Sequence, residues 1–208
     1  MRLVLASSSP RRREILALLR IPFEAIEPDF SEIVSEGRRI EREVLDFAAG
    51  KANSIAARHS GCIVIGSDTM IRLDQIKLGK PEDLADAKRM LGALAGKRHT
   101  IYTAVAIVDG EGGPGLRVVE EVSVKMRAYS KNEIDEYLAY GESLDKAGAY
   151  SIQGHGRALI ESIVGDYLAA VGLPLMPIAH FLRRRGIALP VDVEKLYADK
   201  SYRNWSTF

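Results

Sequence analysis

The chain has 208 residues, of which 47% are hydrophobic, 7% aromatic and 27% charged. That composition excludes a disordered chain and allows one domain or two small lobes around a shared core. Lysine plus arginine number 29 and aspartate plus glutamate 28, so a polyanion-binding surface needs local clustering of cations. Cys62 is the single cysteine, which excludes a disulfide framework and a multi-thiolate metal site.

Arg2–Ala6 predicts a short apolar first strand. The opening run Met1–Pro10 is followed by arginines rather than preceded by them, unlike a signal peptide, and no apolar run nears the roughly 20 residues of a membrane span. The expectation is a soluble cytoplasmic protein without membrane attachment. Ser9 predicts an N-cap with Pro10 as first helical residue, where its missing N–H costs nothing. Ile15, Leu16, Leu18 and Leu19 give that helix an apolar face, and Pro22 ends it. A second helix is expected from about Ile40 to His59, on the spacing of Val44, Ala48, Ala52 and Ile55. Cys62–Gly66 is an apolar strand that Thr69–Leu73 either continues or pairs with. Leu84, Ala87, Leu91 and Leu94 mark a third helix after Pro81.

Alternation then replaces helical spacing. Ile101, Thr103, Val105 and Ile107 form one strand face and Val118–Met126 another, joined across the Gly- and Pro-rich Asp109–Gly115, which predicts a long hairpin. Ser130 and Glu133 form a capping box opening a helix to about Tyr140. Ala158–Ile163 predicts a further strand, and Pro174 opens a helix with Ile178, Phe181 and Leu182. The fold class expected is α/β with a mixed central sheet and flanking helices, not a doubly wound sheet. Residues 1–190 are expected to form one domain and residues 191–208 a tail without clear period, whose Trp205 and Phe208 could dock on the body.

Several familiar catalytic motifs are absent. Gly92–Lys97 is one residue short of a P-loop and lacks the Ser/Thr after its lysine. The four histidines form no ligand-spaced pair. The positive signals are individually modest. Ser7-Ser8-Ser9-Pro10-Arg11-Arg12 puts hydroxyls, backbone N–H groups and two arginines at a helix N-terminus, where cations oppose the dipole unless an anion is bound; a solvated basic turn is the plainer alternative. Asp68, after an apolar strand, sits either at a ligand-binding strand end or in an Asx turn. Lys80 precedes a helix start, Lys51 lies within the second helix, and Gln153 follows Tyr150-Ser151-Ile152.

Taken together and in order, Leu5–Arg12, Ser67-Asp68-Thr69, Lys80-Pro81, Asp145–Tyr150 with Ile152-Gln153-Gly154, and Val171–Pro174 resemble the Maf family of nucleoside triphosphate pyrophosphatases. The resemblance covers about Leu3 to Leu182. It implies hydrolysis of a nucleoside triphosphate to the monophosphate and pyrophosphate, with a divalent cation (magnesium or manganese), in a cleft between two lobes similar to that of inosine triphosphate pyrophosphatases. It makes Asp68 the proton acceptor, lets Glu32 share the metal with Asp68, and assigns substrate binding to Ser7, Arg11, Arg12, Lys51, Thr69, Lys80 and Gln153. Arg11, Thr69 and Gln153 match the subgroup acting on dTTP and UTP; the sister subgroup shows Trp, Gln and Glu there. The implied role is house-cleaning of nucleotide pools, with modified pyrimidine triphosphates in range.

The residues give this reading physical sense. Arg11, Arg12, Lys51 and Lys80 match the four charges of a triphosphate. The same cations are expected to lower the pKa of Asp68 and weaken it as a base, a mismatch that a divalent ion relieves by acidifying water. The Gln153 amide can accept from N3–H of uracil or thymine and donate to a ring carbonyl. The substrate is thus the expected partner, and a homodimer is compatible with the sequence. Two rivals stand beside this. One is a regulatory nucleotide-binding module in cell-division arrest. The other is nucleic-acid binding through Arg183–Arg185, which the balanced charge and the placement of those arginines at a helix C-terminus oppose.

Overall fold

The computed structural model describes residues 2–35 and 37–208; Met1 and Glu36 lie outside the described residues. Its centre is a seven-stranded sheet in the order β2 (Glu24–Ile26), β1 (Arg2–Ala6), β3 (Cys62–Leu73), β5 (Arg98–Asp109), β6 (Leu116–Met126) and β7 (Ile160–Val164), with β4 (Ile76–Leu78) also pairing with β3. β1 runs parallel to β2 and β3, and every other pairing is antiparallel. The expected mixed α/β architecture is what the chain forms.

Side-chain alternation sorts the sheet into two faces. Val4, Ala6, Val64, Met70, Ala104 and Ala106 face α2 (Ile40–Ala56), which meets them with Val44, Ala48, Ala52 and Ile55. Leu3, Leu5, Ile63, Ile65, Val105 and Ile107 belong to the larger core on the other face. There they join apolar residues of α1 (Pro10–Ala17), α3 (Leu84–Leu94), α4 (Lys131–Ala139), α5 (Tyr167–Val171) and α6 (Leu175–Arg184). The predicted caps form: Ser9 Oγ accepts from the Arg12 backbone N–H, and Ser130 and Glu133 make the reciprocal capping box.

Two local features position the site. β5 pairs with β3 from Ile63 to Arg72, but on the opposite edge β1 reaches only Gly66 and β4 begins only at Ile71. Among the described residues no strand pairs with Ser67–Met70 on that edge, so the sheet has a notch there. At Gly66, a Cβ would fall 2.2 Å from the Ala48 carbonyl oxygen and 2.8 Å from the Ala52 nitrogen. Glycine is what lets the α2 backbone lie directly on β3 beside the notch.

Two sequence expectations are corrected and one, that for Lys80, is made more definite. Thr69–Leu73 continues the strand, so Asp68 lies within β3; the strand end beside it belongs to β1. α3 starts at Leu84 with Asp83 as its cap, so Lys80 stands on the preceding loop and not at the helix start. The segment after Pro190 contains α7 (Val193–Ala198), with Asp192 as its cap and Val193 buried. Six residues are too few to show a period in sequence. Beyond it Trp205 is buried and stacks on Tyr167 with ring centroids 5.5 Å apart, so these aromatics do dock on the body.

Candidate active site

A cavity of about 660 Å³ opens at the notch in β3, and Ser7, Arg11, Arg12, Glu32, Lys51, Asp68, Thr69, Lys80 and Gln153 all line it. They come from the β1–α1 turn and the first turn of α1, the loop between β2 and α2, the C-terminal half of α2, the middle of β3, the loop after β4, and the segment before β7. Nearly 150 residues of chain are folded onto one concave surface.

Lys51 is the hub. Its side chain points from α2 toward the sheet at the point where Gly66 allows close approach, and it is buried. Lys51 Nζ donates to Asp68 Oδ1 at 2.5 Å and also contacts Glu32 Oε1. Two carboxylates from separate segments therefore converge on one ammonium. Their environments differ. Burial pushes the Asp68 carboxyl above its ordinary range despite Lys51 and Arg12, with the Glu32 charge adding to the push. Glu32 is also raised by burial, but Lys51, Lys80 and Arg12 outweigh that and hold it below the ordinary range. The expectation that cations lower Asp68 is thus reversed. Desolvation of a carboxyl with 6% of its side chain exposed wins over the nearby positive charges.

Arg12 occupies the other side of the strand. Its Nε donates to the Gly172 carbonyl at 2.9 Å and its Nη2 to Thr69 Oγ1 at 3.2 Å. Thr103 Oγ1 gives its proton to the Ala169 carbonyl at 2.8 Å, so across the 3.1 Å contact Thr69 must donate to Thr103. Thr69 lines the cavity, but its proton is committed and its hydroxyl holds Arg12 in place. Gly172, in the left-handed region at φ 129, turns its carbonyl toward Arg12 and also accepts from Ser67 Oγ at 3.0 Å. Burial lowers the Arg12 pKa while Asp68 and Glu32 pull it back up; a guanidinium stays charged at any physiological pH.

At the β1–α1 turn, Ser7 Oγ is buried and accepts from the Ser9 backbone N–H at 3.2 Å. That contact orients the turn so that residues 7–12 face the cavity at the start of α1. Lys80 is exposed at the rim. Gln153 is half-buried, and its Nε2 is buried with no hydrogen-bond partner.

The family profile described as Maf-like protein matches residues 2–185. The chain belongs to the Maf-like protein family. Among curated relatives, the "dTTP/UTP pyrophosphatase" of Symbiobacterium thermophilum is 43% identical over 184 residues, covering 88% of this chain and 94% of the relative. The protein of the same name from Moorella thermoacetica is 42% identical over 186 residues, 89% and 96% of the two chains. That from Clostridioides difficile is 39% identical over 186 residues, 88% and 95%.

In this Maf-like chain, sequence reasoning missed two charged members of the cavity wall. Asp145 and Lys146 line it beside each other, with Lys146 Nζ donating to Asp145 Oδ1 at 2.5 Å. Burial raises Asp145, but Lys146 and Arg11 hold it below the ordinary range. Both stood inside a motif already singled out, Asp145–Tyr150, but neither was given a role of its own. Ser67 and Gly172 also stood in quoted motifs and Thr103 on a strand face, but their supporting roles had no local signal, because each acts through contacts more than 30 residues away in sequence.

Proposed function

We propose that this chain hydrolyses dTTP and UTP to the nucleoside monophosphate and pyrophosphate. The observation that carries the reading is the convergence of Asp68 and Glu32 on buried Lys51, in one cavity with Arg11, Arg12 and Lys80. A basic pocket that only binds nucleotide has no use for two acids at its centre, where they weaken the hold on phosphate. A phosphoanhydride hydrolase needs an acceptor for the proton of water and oxygen donors for a cation.

The donor set fits magnesium or manganese. Among the described residues no three His, Cys, Asp or Glu side chains converge, and Glu32 and Asp68 together offer the one or two carboxylates that such ions take from a protein when phosphate and water complete the shell. When bound, the ion supplies charge neutralisation on the phosphates and greater acidity of water. The chain's own residues do the rest. Arg11, Arg12 and Lys80 hold the phosphates by charge-assisted hydrogen bonds. With a cation held by Glu32 and Asp68, Lys51 would be free to turn its donors toward the substrate phosphates. Asp68 accepts a proton from water as the water oxygen bonds to the α-phosphorus. The bond from α-phosphorus to the bridging oxygen breaks, and pyrophosphate leaves with that electron pair.

Gln153 supports the choice of base. Its unpartnered buried Nε2 is a donor awaiting an acceptor, and an unmade hydrogen bond there costs about 1–3 kcal/mol. A carbonyl of uracil or thymine satisfies it, while Oε1 accepts from N3–H.

Asp68→Asn tests the catalytic role. The kcat for UTP drops roughly 10²- to 10⁴-fold, while a UTP analogue with a non-hydrolysable α,β-bridge still binds. Undiminished turnover in the variant overturns the assignment. Gln153→Glu tests base reading: activity on UTP and dTTP falls more than activity on GTP, and an equal loss on all three removes Gln153 from that role.

A further inference from the structure

Glu43, near the start of α2, is fully buried and does not line the cavity. Its two oxygens are engaged separately. Oε1 accepts from the Ser35 backbone N–H at 2.6 Å, and Oε2 accepts from Lys77 Nζ at 2.5 Å. Lys77 Nζ also donates to the Ser35 carbonyl at 2.6 Å. An acid on α2 and a base on β4 thus grip both backbone groups of one loop residue. β4 is itself fixed, because it pairs with β3 from Ile71 to Leu73. A buried ion pair is weak evidence for stability, and well-packed apolar residues in its place are often neutral or stabilising. What this pair gives the molecule is a fixed position for Ser35.

That position matters because Glu32 lies on the same loop. On the far side of Glu32, Phe30 meets Phe47 edge-on with ring centroids 6.0 Å apart, and it covers Gly50 so closely that a Cβ there would fall 2.1 Å from Phe30 Cε2. The loop therefore runs back along α2, meeting Gly50 with Phe30, Lys51 with Glu32 and Glu43 with Ser35. From Glu32 to Ser35 the chain reaches about 10 Å at most, while α2 rises about 12 Å from Glu43 to Lys51. Little slack remains, so the place where Ser35 is held decides where the Glu32 carboxylate stands. We propose that Glu43 and Lys77 are positioning residues for Glu32, their ion pair holding that carboxylate beside Asp68 for a divalent cation. Glu32 is a half-exposed side chain on a loop, and fixing its backbone in advance removes part of the ordering cost that cation binding would otherwise carry.

This inference rests on the reading of Glu32 and Asp68 as cation donors, and the experiment separates the two. Manganese is titrated into the nucleotide-free enzyme, with the free ion followed by its electron paramagnetic resonance signal, and UTP turnover is measured over the same concentrations. Glu43→Leu with Lys77→Met replaces the pair by apolar side chains and strands no charge. Its manganese affinity falls about ten-fold, the scale expected when the support behind a ligand is removed, while kcat at saturating manganese stays within about two-fold of the wild type. Lys77→Arg keeps the charge and the donors and keeps the affinity. In a Glu32→Gln background the double replacement brings no further weakening. Should the double variant not fold, Glu43→Gln carries the test: it has the same shape, retains an acceptor for Ser35, and weakens manganese binding about three-fold. A folded variant that binds manganese as tightly as the wild type, whether or not its kcat falls, marks a merely structural pair and overturns the positioning role. If Glu32→Gln itself binds manganese like the wild type, the reading of Glu32 falls and this inference with it; if Glu32→Gln binds weakly and the pair variants do not, only the role of Glu43 and Lys77 falls.

Discussion

Replacing Lys51 by Met probes the centre of the site through stability as well as activity. Methionine keeps the length and apolar body of the stem, so packing against the neighbouring turns of α2 changes little. What is lost is the ammonium between Asp68 and Glu32, two carboxylates of which the first is almost wholly buried. Removing one partner of a buried ion pair costs about 3–5 kcal/mol, because the remaining charge is left without compensation. For a chain of this size each kcal/mol moves the melting temperature by about 2–4 °C, so Lys51→Met should melt roughly 6–20 °C below the wild type. Adding Asp68→Asn removes the stranded charge, and the double variant should recover more than half of the loss. Millimolar magnesium should raise the melting temperature of Lys51→Met more than that of the wild type, since a divalent ion is the remaining way to neutralise both acids. Calorimetry on the three proteins, with and without magnesium, reads all of this. A single variant melting within about 1 °C of the wild type, or a double variant no better than the single, would refute the picture of acids held by one buried cation.

Two further tests address the frame of the site. Gly66→Ala drives a methyl group to 2.2 Å from the Ala48 carbonyl; overpacking of this kind costs about 1–3 kcal/mol or more, and it should lift Lys51 off Asp68, so urea midpoint and kcat/KM for UTP fall together, whereas a normal midpoint with normal turnover would show that the helix tolerates displacement. His99 is buried against Tyr150, with Nε2 2.7 Å from the phenolic oxygen, and burial lowers its pKa to about 4. Because the folded value lies below the unfolded value of about 6.5, stability is complete above the latter and is lost as pH falls toward the former, roughly 3 kcal/mol in all. Urea melts at several pH values should show that loss in the wild type and not in His99→Gln; parallel pH profiles for the two proteins would contradict it.

Much of this protein was decided locally and so was legible in one dimension. Ser9-Pro10 begins a helix because a hydroxyl cap and a missing N–H suit the first turn wherever they occur. Ser130 and Glu133 satisfy each other's backbone in any context. Alternation in Ile101–Ile107 and Val118–Met126 demands a two-faced sheet. Seven of the nine expected site residues, Ser7, Arg11, Arg12, Asp68, Thr69, Lys80 and Gln153, lie in motifs in a recognisable order, a signal carried by the chain itself, and all nine line one cavity.

Tertiary structure alone decided the rest, because burial and long-range contact have no local signature. No spacing rule says that β1 stops at Ala6 while β3 runs on to Leu73, and that mismatch in length is what leaves a notch beside Asp68. The direction of the Asp68 pKa was misread from charges alone, since desolvation depends on how closely α2 covers the strand. Thr69 follows Asp68 directly, yet the two-residue period of a strand sends neighbours to opposite faces, so its hydroxyl meets Arg12 rather than Lys51 although both residues line the cavity. The last residues had no pattern to read, yet folding brings Tyr202 to Glu14 across 188 positions. Sequence chose the groups; only the packed sheet and helix set the distances between them, and the chemistry depends on those distances.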